Sequence, residues 1–206
     1  MKSRFVIGHG AVLDAVCDAW TVALPDHPVV RIELGQGPDY RFDWSPLDCV
    51  ARDSEAFMAF DEKFGNFTRL ELFQAGVERG YRMTPFVSPR AIVAPGVKVG
   101  PNCFICDGAI VGARAVVEYN CVIGAGAIVG AGARLKASCW LAAGVQVGDD
   151  VEIGAHVTLR QGVAVAAGVR IGRNSELGIP GHYRENVAPR TVFDPRYDAP
   201  IFVHGS

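Results

Sequence analysis

From Val87 onward one aliphatic side chain returns at every sixth residue. Val87, Val93, Val99, Ile105, Val111, Val117, Ile123 and Val129 lead on to Leu135, Leu141, Val147, Ile153, Leu159, Val165, Ile171 and Leu177. An amphipathic helix needs apolar spacing near 3.6 and a half-buried strand needs 2, so a period of six serves neither. Four residues after each aliphatic comes a small or β-branched residue, from Ala91 and Val97 through Cys103, Cys121 and Cys139 to Ser175. That pattern describes a short strand, a corner and a second short strand, with one large side chain filling the centre. Three such units close a triangular coil, and coils stack about 4.8 Å apart like neighbouring strands. The complete units from Val87 to Glu176 predict about five coils of 18 residues. The repeat does not reveal its hand.

The fourth residue of each unit is mostly of a type that tolerates positive φ, as sharp corners require. Gly96, Asn102, Gly108, Asn120, Gly126 and Asn174 are examples, and His156 belongs to the same series. On this reading its imidazole sits on a left-handed corner facing solvent. Cys103, Cys121 and Cys139 stack in one interior column, where reduced thiols serve as small hydrophobes. Cys103 and Cys106 have the spacing of a metal-binding pair, but they straddle two units and have no second pair, so no metal is expected. The repeat region is glycine-rich, holding 16 of the 24 glycines between Gly96 and Gly181, with no proline between Pro101 and Pro180.

Residues 1–84 differ, with 9 basic and 13 acidic side chains. Arg4 to Ile7 reads as a buried strand, Gly8-His9-Gly10 as a turn, and Val12 to Trp20 as a helix. Such a turn presents backbone N–H groups at a helix start and is a natural phosphate cradle. Val29 to Ile32 reads as a second strand and Phe67 to Gly80 as a second helix. This is a small Rossmann-like α/β module, too short for a full dinucleotide fold. The fold class is therefore mainly β, a parallel β-helix over 85–178 preceded by an α/β domain over 1–84. Residues 179–206, with Pro180, Pro189, Pro195 and Pro200, are expected as an extended tail draped over a neighbouring surface. All basic residues after Lys136 are arginines, and Arg160, Arg170 and Arg173 are candidates for the phosphates of an acyl carrier. With Lys+Arg 20 against Asp+Glu 22, the chain is not a generally basic nucleic-acid binder. No apolar run reaches the roughly 18 residues of a membrane helix and no secretory signal is read, so a cytoplasmic protein with reduced cysteines is expected.

The motif of an aliphatic, a glycine and a small residue stands at Val99-Gly100-Pro101-Asn102-Cys103 and Ile123-Gly124-Ala125-Gly126-Ala127. It returns at Val147-Gly148-Asp149-Asp150-Val151 and Ile171-Gly172-Arg173-Asn174-Ser175. In these residues the sequence resembles the hexapeptide-repeat acyltransferases. Over roughly 4–178 its layout resembles the sialic-acid O-acetyltransferase and nucleotide-sugar N-acetyltransferase type. Gly8-His9-Gly10 matches that type's nucleotide-sugar-binding turn, although the glycine-containing stretch normally preceding it is absent. The resemblance implies a left-handed parallel β-helix working as a homotrimer, with acetyl-CoA as co-substrate in the groove between adjacent helices. It implies transfer of an acyl group to an amino or hydroxyl group of a nucleotide-linked sugar.

In that family a histidine two residues after an aliphatic position acts as general base, because an ammonium or alcohol must lose a proton as it attacks the thioester. The corresponding residue here is Ala131, and no histidine occurs between His27 and His156. Asp149 lies on the same corner one coil along and is one catalytic candidate. His156 and His182 are others, brought near by a neighbouring subunit. A substrate amine that arrives deprotonated needs positioning only. The alternative is an inactive relative that keeps the nucleotide-sugar or CoA groove as a binding or regulatory module. A γ-type carbonic anhydrase needs a histidine triad for zinc, which the repeat lacks.

Overall fold

The structure, a computed structural model, describes residues 3–37 and 41–203; residues 1–2, 38–40 and 204–206 of the expected module and tail lie outside the described residues. The N-terminal module contains β1 (Arg4–His9), α1 (Ala11–Ala23), β2 (Val29–Glu33), β3 (Glu55–Phe60), α2 (Phe67–Glu78) and β4 (Arg82–Met83). Its strands form one parallel sheet in the order β2-β1-β3-β4. Alternate residues of β1 point to opposite sides: Val6 packs with Leu13, Val16 and Trp20 of α1, and Ile7 with Leu72 of α2.

The hexads form a parallel β-solenoid with three faces. The packed face runs through the strands Phe86–Val87, Phe104–Ile105, Val122–Ile123, Trp140–Leu141, Thr158–Leu159 and Glu176–Leu177. The aliphatic face begins at Ile92–Val93 and Ile110–Val111, and the charged face at Lys98–Val99 and Val116–Val117. From Val93 to Leu177 the second residue of each two-residue strand points inward, and Ile105, Ile123, Leu141 and Leu159 stack as one fully buried column. Every corner from Gly96 to Asn174 has positive φ, between 54 and 82°, as the sequence predicts.

One corner column is polar and buried. The Asn102 amide donates to the side-chain oxygen of Asn120 at 2.9 Å, and the Asn120 amide to the Ser138 hydroxyl at 3.0 Å. Asn102 also accepts from Met58 N at 2.7 Å and donates to Met58 O at 2.9 Å, tying β3 to the solenoid. Asn102→Ala leaves that main-chain pair unsatisfied, so stability should fall by about 2 kcal/mol, read as a Tm lower by about 5 °C. Beside it Arg69 of α2, 5 % exposed, donates to Asn120 O at 2.7 Å and stands over the Trp140 ring. Burial pushes its guanidinium down to about 10. α1 lies on the packed face, where Leu13, Val16 and Trp20 meet Phe86, Phe104 and Val122. The aliphatic and charged faces, and the corner between them, are left bare by the module.

The structure corrects the expected tail. Gly181–Tyr183 pairs with Val163–Val165, Val187 bridges Ile171, and Thr191–Phe193 pairs with Glu176–Leu177, which adds a further turn to give about six. Tyr183, Val187 and Phe193 take the inward positions. Tyr183 keeps the six-residue step from Leu177 with an aromatic residue, but Val187 follows after only four. The period breaks there although the coil continues. Ile201–Phe202 then turns back and pairs antiparallel with Thr191–Val192. Each thiol of the interior column donates to a main-chain carbonyl: Cys103 to Glu118, Cys121 to Lys136, and Cys139 to Gly154.

Candidate functional site

The first half of the candidate site lies where β1 and β3 end side by side. There the strand order reverses, the position at which open parallel α/β sheets form a crevice. Gly8 pairs with Ala59 of β3 so closely that any side chain would drive into the Ala59 carbonyl. Gly10, at φ 87°, starts α1 and lies against the Asp61 carboxylate. Asp61 accepts from Ala11 N at 3.0 Å and from Val12 N at 2.8 Å. The first two amides of α1, at the turn that the sequence offers as a phosphate cradle, are thus held by a carboxylate of the chain itself. His9 Nδ1 lies 3.4 Å from Glu33 at the end of β2, and Arg31 bridges Glu33 and Asp14 at 3.0 Å each.

The second half is the bare corner between the aliphatic and charged faces. Gly130-Ala131-Gly132 turns this corner, and Gly148-Asp149-Asp150 turns it one coil along. Ala131 N donates to Asp149 Oδ1 at 2.7 Å. The exposed Asp149 side chain therefore caps the turn that carries Ala131. On the aliphatic side a concavity of about 420 Å³ is floored by Gly148, Ala164, Ala166 and Ala167 and rimmed by Asp149 and His182. On the charged face, towards its other edge at Gly154, Gly172 and Pro189, a hollow of about 510 Å³ is surrounded by Arg134, Lys136, Glu152, Arg170 and Arg173. Lys136 pairs with Glu118 at 2.8 Å and Arg170 with Glu152 at 3.3 Å, while Arg134 and Arg173 have no ion pair among the described residues.

Two sequence candidates lie elsewhere. Arg160 is held by Glu62 at 2.6 Å and by Glu176 at 2.8 Å, so it locks the module to the solenoid and is not brought to Arg170 and Arg173. His156 has the expected corner backbone, φ 60°, but does not face open solvent. Phe67 of α2 stacks on it at 5.1 Å, and burial lowers the imidazole below its usual value. It lies on the corner against the module, away from the Asp149 corner. Sequence reasoning missed Asp61, whose only signal is an acid directly after the apolar strand Glu55–Phe60, and Arg134 with Lys136. The alternation of basic and apolar residues in Arg134-Leu135-Lys136 marks an outward-facing strand and could have found the latter pair.

Residues 103–137 match the family described as bacterial transferase hexapeptide (six repeats). Curated protein sequences give no match. Among solved structures, PerB from Caulobacter crescentus in complex with CoA and GDP-perosamine superposes with a TM-score of 0.78 at 21% identity, covering 93% of each chain. A histidine-to-asparagine mutant of perosamine N-acetyltransferase from the same organism, with the same ligands, gives 0.77 at 21% identity and 93% of each chain. The acetyltransferase domain of PglB from Neisseria gonorrhoeae in complex with acetyl coenzyme A gives 0.66 at 17% identity, covering 98% of this chain and 100% of that one. At these identities the likeness establishes the fold.

Proposed function

We propose that this protein transfers an acyl group, acetyl in the first instance, from coenzyme A to an amine of a nucleotide-linked sugar. The observation that carries the reading is the bare corner: a carboxylate, Asp149, rims a small-floored concavity beside His182, and the adjoining charged face holds a hollow lined by four cations and Glu152. The structural neighbours described with CoA and GDP-perosamine support the same pairing of ligands. The donor set fits a coenzyme, since guanidinium groups hold phosphates bidentately and the glycines beside them leave room. Arg170 and Arg173, with Arg134 and Lys136, would hold its phosphates. Bound there, acetyl-CoA supplies the acyl group as a thioester.

Asp149 is the proposed base. One of its oxygens is fixed by Ala131 N–H, and the other is left to take the proton that the acceptor nitrogen loses as its bond to the acyl carbon forms. In this reading Gly8, His9 and Gly10 line the acceptor crevice, and Glu33, at the end of β2, receives sugar hydroxyls as an acid there commonly does. Within one chain the module covers the packed face and the Asp149 corner lies on the far side. A homotrimer brings the crevice of one copy towards the corner of the next. The outward stripe of Ile92, Ile110 and Ile128, 64, 38 and 39 % exposed, supports such an assembly. The reading places the protein in the cytoplasm; among the described residues no helix is long and apolar enough to cross a membrane.

Thiol release from acetyl-CoA in the presence of a panel of nucleotide-linked amino sugars tests the reading. One amino sugar should give turnover with formation of its N-acetyl product. Acetyl-CoA binding without turnover on any amine would instead favour the non-catalytic relative, for which Ala131 is the motive. Arg173→Glu should raise KM for acetyl-CoA about tenfold or more with kcat little changed, because a charge-assisted contact of about 1.5 kcal/mol is reversed. A KM that does not move excludes the charged hollow as the coenzyme site.

A further inference from the structure

The first three amides of α1 all donate within the chain. Ala11 N and Val12 N both donate to Asp61, and Leu13 N donates to Gly10 O at 3.1 Å. Gly10 lies directly against the Asp61 carboxylate, so no gap separates the turn from the acid that caps it. The neighbouring cation, Arg31, is engaged by Asp14 and Glu33. A helix start grips phosphate through free N–H groups and its positive end. Here the first three N–H groups are engaged and the positive end faces a fixed negative charge.

We propose that Asp61 is a specificity-determining residue that closes this turn to phosphate, so that an acceptor nucleotide lies with its diphosphate away from the start of α1. The identity of that acceptor rests on the acyltransferase reading. The closure itself belongs to the N-terminal module and does not depend on transfer chemistry.

Calorimetric titration of the full chain with GDP, UDP, guanosine and uridine tests this, in the parent, in Asp61→Gly and in Asp61→Asn. In the parent each diphosphate should bind no more than about threefold tighter than its nucleoside. Asp61→Gly frees both amides and removes the charge, so diphosphate affinity should rise about tenfold or more while nucleoside affinity stays within about threefold. Asp61→Asn keeps an oxygen for one amide, loses the charge and sets an NH2 group against the other amide. It should gain about threefold and carries the test if the glycine variant does not fold, as judged by circular dichroism. A folded variant that gains no affinity for either diphosphate overturns the proposal. So does a parent that already prefers the diphosphates tenfold. Acetyl-CoA titrated in parallel keeps the two ideas apart: its failure to bind defeats the acyltransferase reading, whereas closure is judged on the diphosphates alone.

Discussion

Ile123→Asp should abolish the folded state, leaving a protein that is insoluble or lacks a cooperative melt. Ile123 is fully buried and sits in register with Ile105 below and Leu141 above, within a column made only of aliphatic side chains. Among the described residues that column offers a carboxylate no hydrogen-bond donor. Removing the isoleucine side chain costs about 2–5 kcal/mol, and burying an unpaired acid adds several more. Against a total stability of about 5–15 kcal/mol the sum is decisive. Because each coil is held mainly by its neighbours, a break at the third coil separates the two ends of the stack. Ile123→Leu, which keeps volume, should cost less than about 1.5 kcal/mol and serves as the control. An aspartate variant that melts at the parent temperature would falsify the inward assignment of this column.

Asp149→Asn should lower kcat by about a hundredfold or more while leaving acetyl-CoA affinity unchanged. The substitution is conservative in shape, and the amide oxygen still accepts from Ala131 N, so the corner keeps its backbone. Only the capacity to take a proton is lost. Single-turnover acetyl transfer, together with a binding titration, separates chemistry from affinity. Turnover equal to the parent's removes Asp149 from the mechanism and leaves the acceptor to arrive as a free amine. Loss of coenzyme binding with loss of turnover assigns Asp149 to holding the corner.

The solenoid was legible because its constraint is strictly periodic: a coil interior admits one large side chain per unit, and the left-handed corners admit few residue types. The module was legible only in part. β3, Glu55–Phe60, is rich in Ala, Phe and Met and has no β-branched residue, so local propensity does not separate it from a helix. The last coil was hidden by a shortened step and by prolines that serve as turn residues. For the site, the hexad register fixed the corner shared by Ala131 and Asp149. It gave no account of which residues the module would claim. Arg160 and His156 were available on sequence grounds alone, and Glu62 and Phe67 took them through contacts far along the chain. Asp61 is the same kind of case, a carboxylate whose partners lie 49 and 50 residues away.

The returning strand Ile201–Phe202 sets a limit on what this molecule can become. A parallel stack ends in a row of unpaired backbone groups that a second stack can join, and head-to-tail joining of identical ends has no closure and grows into filaments. By folding back across Thr191–Val192 in the opposite direction, the chain offers an incoming coil a strand of the wrong polarity along the packed face. At this end of the packed face the stack is thereby closed within a single copy, and joining of identical ends is disfavoured there.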